Sequence, residues 1–189
     1  MRSILKLGLF LLIVAGIAGL GISYVNGITS PIIEQQLIEN KLNSFKQVYA
    51  DSDEVIDESA KYLDGTSNPI ITEVNVAYKS GTPVGVIYSV APTGYGDKIN
   101  ILAGFDIVNK KVTAIKILSQ SETPGLGAKA PESFFTDRYK DKDAVNPLVV
   151  VKQEPADGNK ILAITAATIT SQAVTDGVNA AREHFINNF

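Results

Sequence analysis

The stretch that decides the fold is residues 71–90, which read ITEVNVAYKSGTPVGVIYSV. Apolar and polar residues alternate from Ile71 to Tyr78, as in a strand with one buried face, and a second apolar run extends from Val84 to Val90. The residues between the two runs, SGTP at 80–83, are typical of a turn. The stretch therefore predicts a β-hairpin and the beginning of an antiparallel sheet.

A second pair of strand-like runs extends this predicted sheet. Residues 99–105 and 112–118 are mostly apolar, and the polar segment 106–111 joins them. Further elements are predicted after them: a helix over 131–139, short strands over 148–152 and 161–164, and a final helix over 169–187. Hairpins with helices at both ends of the chain indicate an α+β fold, with a mainly antiparallel sheet flanked by helices.

The N-terminal part of the chain contains a long uncharged run. Leu7 to Val25 includes 19 residues without a charged side chain. As a helix this run would span about 28 Å, which matches the hydrocarbon thickness of a bilayer. We therefore expect a single transmembrane anchor within residues 1–27. A cleaved signal peptide is the competing interpretation, but its apolar region would be unusually long.

Basic residues flank only one side of this run. Arg2 and Lys6 precede it, whereas residues 26–40 contain no lysine or arginine. The positive-inside rule then places the N-terminus in the cytoplasm and residues 28–189 outside the cell membrane. At the start of this part, Ser-Pro at 30–31 is typical of a helix N-terminus, and the apolar spacing predicts a membrane-proximal amphipathic helix within residues 28–50.

The composition excludes several classes of function. The 189 residues carry 17 basic and 20 acidic side chains, so the chain has no positive excess for binding nucleic acid. Cysteine is absent, which excludes thiol catalysis and cysteine-ligated metals. The single histidine, His184, is interpreted as an exposed or capping residue, and residues 51–58 as a solvated acidic face. We expect no metal site and no catalytic side chain.

Two segments combine turn residues with one ring or one apolar side chain. GYGD at 94–97 places Tyr95 between two glycines before a strand, and SETPGLG at 121–127 surrounds Leu126 with turn residues. Loops of this kind can hold main-chain amides and an apolar side chain against a flat ligand. Ordinary turns at the strand ends remain the simpler interpretation of both segments.

The predicted final helix opens on a segment rich in hydroxyl groups, TAATITS at 165–171. Its four hydroxyl side chains lie where a helix has unpaired N–H groups. Such an N-terminus attracts anions through those groups and through the helix dipole. Helix capping explains one hydroxyl but not four, so the segment also predicts a phosphate site.

Taken in order, these segments resemble the flavin-binding G subunits of Rnf electron-transport complexes and the related C subunits of sodium-pumping NADH:quinone reductases. The matching features are the membrane anchor, GYG at 94–96, ETPGLG at 122–127 and ATITS at 167–171. The resemblance implies that residues 28–189 form an extracytoplasmic FMN-binding domain. It also implies that FMN is covalently attached, through a phosphoester to the hydroxyl of Thr168.

The resemblance further implies the surroundings and the role of this cofactor. The implied neighbours of the phosphate are Thr165, Thr170 and Ser171, and those of the flavin ring are Tyr95, Glu122, Thr123, Gly125 and Leu126. The implied role is an electron-carrier subunit of an ion-translocating ferredoxin:NAD oxidoreductase, matured by a flavin transferase and docked on the other membrane subunits. A flavin-free scaffold subunit and a noncovalent FMN module of an exported reductase are the alternatives.

The chain departs from the family pattern at two positions. That pattern reads Asp-x-x-Ser/Thr-Gly-Ala-Thr, and Leu162 and Ala166 stand here at the aspartate and glycine positions. If the backbone at Ala166 needs a positive φ, the extra methyl group costs about 1 kcal/mol. The carboxylate that is missing at Leu162 is one that the flavin transferase could recognise.

Overall fold

The hairpin stretch forms the middle of a five-stranded antiparallel sheet in the computed structural model, which describes residues 2–63 and 68–189. Each strand pairs with its neighbour along the chain. The strands are β1 (Glu54–Asp57), β2 (Ile71–Lys79), β3 (Thr82–Val90), β4 (Asn100–Asp106) and β5 (Lys111–Ser119). Both predicted hairpins are confirmed, and with them the α+β class.

Strand β1 was not predicted from the sequence. It lies in the segment interpreted as a solvated acidic face, and it pairs with β2 from Glu54 opposite Tyr78 to Asp57 opposite Asn75. Glu54 and Asp57 are exposed, whereas Val55 packs against buried residues of the sheet. Glu54 and Asp57 are therefore solvated as predicted, and their backbone belongs to the edge of the sheet. The prediction fails for Glu58, whose half-buried side chain accepts a hydrogen bond from Tyr78.

The other elements in the described part of the chain are helices and a second, parallel pair of strands. They are α1 (Arg2–Val48), α2 (Ser59–Tyr62), α3 (Ser133–Thr136), β6 (Val149–Val151), β7 (Lys160–Leu162) and α4 (Thr168–Asn188). A 3₁₀ turn at Asp137–Tyr139 follows α3, so the predicted helix over 131–139 is shorter and split. The final helix and the two short strands lie close to their predicted positions.

Helix α1 corrects one prediction about the N-terminal region. A separate amphipathic helix starting at Ser30 and Pro31 was expected within residues 28–50, but α1 runs unbroken through these residues. The hydroxyl of Ser30 bonds back to the Asn26 side chain at 3.2 Å, so it does not cap a new helix. Pro31 therefore lies inside α1 and not at the first position of a new helix.

The chain divides into two units, residues 1–43 and 44–189. The first unit contains residues 8–30, a 23-residue segment with a mean hydropathy of 2.2 and none of it buried. Exposed apolar surface of this length is unfavourable in water and fits a single membrane span. The predicted anchor over residues 1–27 overlaps this segment.

The larger hydrophobic core lies between one face of the sheet and α4. Tyr88, Phe105 and Phe185 are fully buried in it. The ring of Phe105 stacks on Phe185 with centroids 5.1 Å apart and meets Tyr88 edge-on at 5.7 Å. Each such aromatic pair adds about 0.5–1.5 kcal/mol beyond the burial of its area. This packing holds α4 on the sheet.

The opposite face of the sheet packs against the end of α1 within the second unit. Phe45, Val48 and Tyr49 are buried there against sheet residues. The hydroxyl of Tyr49 donates to the carbonyl oxygen of Val84 at 2.9 Å. Burial is the main cause that raises the pKa of Tyr49 to about 12, so the phenol keeps this proton at neutral pH. Both faces of the sheet are therefore covered.

His184 has a structural role that differs from the predicted one. Its ring is half-buried on α4, with Nδ1 at 2.9 Å from the Tyr88 hydroxyl and Nε2 at 3.0 Å from the Tyr62 carbonyl oxygen. The two bonds join α4 to β3 and to the end of α2. The expectation of an exposed or capping histidine was wrong, because the fold brings these two partners to its ring.

Candidate functional site

A pocket of about 530 Å³ lies where three loops of the second unit meet. The loops are the segment before β4, the segment after β5 and the first turn of α4. Small-molecule sites have volumes of about 300–1,000 Å³, so the pocket can hold a ligand of that size. Its lining residues are Tyr95, Glu122, Thr123, Leu126, Gly127, Ala166, Ala167, Thr168, Ile169 and Thr170. The fold thus joins the three segments that the sequence analysis had singled out separately.

The first turn of α4 faces this pocket without a side-chain cap. Its N-cap residue is Ala167, which has no side-chain hydrogen bond to the helix, and α4 begins at Thr168. A helix leaves its first N–H groups without partners inside the helix. The simpler interpretation of this segment was that a serine or threonine side chain caps the helix. The N-cap residue is an alanine, so this position has no such cap. The turn combines free amides with the half-buried hydroxyl residue Thr168.

The hydroxyl of Ser171 serves the backbone beside the pocket. Ser171 is fully buried, and its Oγ donates to the Ala167 carbonyl oxygen and accepts the Ile164 N–H, both at 2.9 Å. These bonds fix the turn that enters α4. Ser171 is absent from the pocket lining, as is the exposed Thr165. Of the three residues expected beside the phosphate, only Thr170 lines the pocket.

A buried polar chain supports this turn from inside the core. The hydroxyls of Tyr139 and Thr175 lie 2.7 Å apart, and Thr175 Oγ1 donates to the carbonyl oxygen of Ser171 at 2.9 Å. Burial raises the pKa of Tyr139 well above its ordinary value, so its hydroxyl stays protonated. The first turns of α4 are therefore tied to the 3₁₀ turn that ends at Tyr139.

The loop after β5 presents an apolar residue to the pocket on a tight turn. The Leu126 N–H donates to the Thr123 carbonyl oxygen at 3.1 Å, and Gly125 has a φ of +78°. Proline followed by glycine at the two central positions suits a turn with positive φ at its third residue. Gly125 shapes this turn but does not line the pocket, whereas Thr123 and Leu126 do.

Apolar groups at the rim of the pocket are open to solvent. Tyr95 is 69% exposed, Ile169 57% and Leu126 39%. Aromatic and branched apolar side chains of this kind can contact a flat ring. Ile169 was not among the predicted site residues, nor were Gly127, Ala166 and Ala167. The sequence signal that could have identified Ile169 was its position, because it is an apolar residue directly after Thr168 in the first turn of α4.

The carboxylate of Glu122 lies inside the pocket wall. Glu122 is only 6% exposed, and its Oε1 accepts the Gly96 N–H at 2.9 Å. Its Oε2 accepts a short hydrogen bond from the Thr170 hydroxyl. The side chain of Glu122 was predicted to contact the flavin ring. In the structure both of its carboxylate oxygens accept hydrogen bonds from other residues of the protein.

The two departures from the family pattern have different surroundings. Ala166 lines the pocket and has a φ of +61°. Its methyl group therefore carries the energetic cost that an alanine has at a position with positive φ. Leu162 ends β7 and does not line the pocket. Its carbonyl oxygen accepts a hydrogen bond from the Arg138 guanidinium. Only the departure at Ala166 therefore alters the pocket.

Replacing Ala166 by glycine should stabilise the protein. Ala166 is exposed, so Ala166→Gly relieves the left-handed conformation without loss of packing, and we expect a gain of about 1 kcal/mol in the free energy of unfolding. Urea unfolding of the full chain in detergent, followed by tyrosine fluorescence, measures it. Ala163→Gly is the matched control, because Ala163 has no positive φ, and it should lose about 0.5–1 kcal/mol. A loss of stability in Ala166→Gly would contradict the prediction.

Comparison with known proteins identifies the kind of domain that contains the pocket. Residues 94–183 match the family model described as an FMN-binding domain, and this range contains every residue that lines the pocket. The fold resembles the crystal structure of the C subunit of the Na⁺-translocating NADH-quinone reductase from Parabacteroides distasonis, with a TM-score of 0.56 at 20% identity over 73% of this chain and 79% of that one. The corresponding protein from Shewanella oneidensis gives 0.55 at 16% identity over 76% and 86%.

Full-length relatives narrow this class to one family. The chain is 32% identical to the G subunit of the Na⁺-translocating ferredoxin:NAD⁺ oxidoreductase complex of Acetobacterium woodii, over 98% of this chain and 93% of the relative. It is 34% identical to the G subunit of the proton-translocating ferredoxin:NAD⁺ oxidoreductase complex of Clostridium ljungdahlii, over 88% and 83%. The chain belongs to the family of G subunits of Rnf-type ion-translocating oxidoreductase complexes.

Proposed function

We propose that this chain is the electron-carrier subunit of a membrane ion-translocating ferredoxin:NAD⁺ oxidoreductase, and that it holds FMN through a phosphoester to Thr168. One observation carries the proposal. The hydroxyl residue Thr168 opens an uncapped helix at the edge of a pocket, in a chain whose relatives are G subunits of such complexes.

The phosphate end of the site is supported by the first turn of α4. The N–H groups of Thr168, Ile169 and Thr170 are those that a helix leaves without internal partners, and the helix dipole favours an anion beside them. Ala167 has no side-chain oxygen that could accept a hydrogen bond from these N–H groups in place of an anion. A phosphate joined to Thr168 would therefore receive backbone donors, and Thr165 would add a hydroxyl from the exposed side of the turn.

The ring end of the site is supported by the rim of the pocket. Leu126 and Tyr95 provide apolar and aromatic surface, and Thr123 provides a hydroxyl and backbone groups beside them. Bound FMN supplies electron transfer, and the protein positions the ring and sets its electrostatic surroundings. No side chain is required to act as a nucleophile or general acid on a substrate. The chain is therefore proposed as a redox component without substrate chemistry of its own.

The N-terminal unit is proposed to anchor the domain and to dock it on partner subunits. The apolar segment at 8–30 would cross the membrane once, with the basic residues Arg2 and Lys6 on the cytoplasmic side. The FMN-binding domain would then lie outside the cytoplasm. The span contains no carboxylate between Leu7 and Val25, so we assign ion movement to other subunits.

A flavin-free scaffold subunit is the second candidate, and the strained Ala166 beside Thr168 is the observation that favours it. The two functions differ in one property of the purified chain. After co-expression with the flavin transferase, a carrier gives a band that fluoresces under ultraviolet light on a denaturing gel. A scaffold gives no fluorescent band. Flavin that is released by acid precipitation, without a fluorescent band, would instead support the noncovalent module.

A further inference from the structure

We propose that Glu122 is a positioning residue that latches the three segments of the pocket together and lowers the reduction potential of the flavin held there. The latch is a property of the chain alone. The effect on the potential rests on the proposed function. The two parts are therefore tested by separate measurements.

The contacts of Glu122 join all three segments. Its side chain comes from the loop after β5, Oε1 accepts the N–H of Gly96 before β4, and Oε2 accepts the hydroxyl proton of Thr170 in α4. Its own N–H donates to Oε1 of Gln120 at 2.6 Å, which fixes the base of the loop. A single side chain thus connects segments that are distant in sequence.

Two glycines make room for this carboxylate. A Cβ atom added at Gly94 would lie 2.5 Å from Glu122 Oε1, and one added at Gly127 would lie 2.3 Å from Thr170 Oγ1 and 2.7 Å from Glu122 Oε2. Neither glycine has a positive φ, so close packing against Glu122 and its neighbours, and not backbone conformation, explains the glycine at each position. The backbone is packed around Glu122 from both sides, which gives the latch a fixed geometry.

The carboxylate is held by neutral donors. Its two partners are an amide and a hydroxyl, and among residues 2–63 and 68–189 no lysine, arginine or histidine forms an ion pair with it. An ionised carboxylate only accepts hydrogen bonds, and both partners of Glu122 donate to it. An electron that enters a ring in the same pocket adds negative charge, and repulsion is poorly screened at a buried site. The oxidised ring is therefore favoured, and its potential is lowered.

The variant Glu122→Gln tests the effect on the potential. Glutamine keeps the size of the side chain, its oxygen can accept the Gly96 N–H and its amide can donate to the Thr170 oxygen, so the charge is the main loss. The full chain is matured with the transferase and titrated by absorbance. We expect the flavin that the variant carries to have a midpoint potential shifted to more positive values. The exposed Glu183→Gln on α4 is the matched control and should not shift it. An unchanged potential in Glu122→Gln would overturn this part.

The variant Glu122→Ala tests the latch without flavin. It is made in a chain that also carries Thr168→Ala, and hydrogen exchange is compared with that of the single Thr168→Ala chain. Loss of a hydrogen bond to a charged acceptor should speed exchange of the Gly96 amide about tenfold. Glu183→Ala should leave it unchanged. Unaltered exchange at Gly96 would overturn the latch. A wild-type chain that carries no flavin would overturn the proposed function and the effect on potential, but not the latch.

Discussion

Thr168→Ala abolishes the covalent flavin of this protein if the proposed attachment is correct. The substitution removes the hydroxyl oxygen that would form the phosphoester, and no neighbouring hydroxyl has the same place in the pocket. Thr165 is exposed outside the lining, Ser171 is bound to the helix entry, and Thr170 donates to Glu122. We therefore expect complete loss of the fluorescent band on a denaturing gel.

Two further variants make this result specific. Thr168→Ser keeps a hydroxyl at the same position and should retain part of the label. Thr136→Ala makes the same chemical change on α3, outside the pocket, and should be labelled like wild type. A fluorescent band of full intensity in Thr168→Ala would show that FMN is attached to another residue, and it would contradict the proposed attachment.

Phe105→Ala produces the largest expected loss of stability. Phe105 is fully buried between Tyr88 and Phe185, and truncation of such a side chain leaves a cavity in a well-packed core. We expect the free energy of unfolding to fall by about 3–5 kcal/mol. Because Phe185 belongs to α4, the loss should also weaken flavin loading at the other end of that helix.

The control for this prediction is another phenylalanine. Phe134 is 43% exposed and contacts the Arg138 guanidinium at 5.5 Å from its ring centroid. Phe134→Ala should cost about 1 kcal/mol, as expected for a partly exposed cation–π contact. Urea unfolding of the full chain in detergent compares the two variants. Equal losses would show that the aromatic stack on α4 does not dominate the core.

The sheet was predictable because its pattern is local. Alternation from Ile71 to Tyr78 and the turn residues that follow specify the hairpin without reference to distant residues. Strand β1 was missed because its four residues include two exposed acids, and its pairing partner β2 lies beyond α2 in sequence. A short edge strand is defined by the neighbour to which it binds, and composition does not show that neighbour.

The continuity of α1 was missed for a related reason. Serine followed by proline is typical of a helix start, but the same hydroxyl can bond back to a residue one turn earlier. Ser30 makes such a bond to Asn26. The sequence motif is compatible with both arrangements, and only the three-dimensional contacts of Ser30 distinguish them.

The segments of the site were predictable, whereas the direction of each side chain was not. Sequence patterns selected residues 94–97, 121–127 and 165–171, and the fold brings all three to one pocket. They did not show that Ser171 is directed to the helix entry or that Glu122 is bound on both oxygens. Those contacts depend on how α4 packs against the loops, which local spacing does not encode.

The intact mass of the wild-type chain tests the central claim most directly. The protein is purified with its companion subunits after expression with the flavin transferase, and its mass is measured under denaturing conditions. We expect the mass of the polypeptide plus FMN minus one water, with the added mass on the peptide that contains Thr168. A mass equal to that of the amino acids alone would contradict covalent attachment.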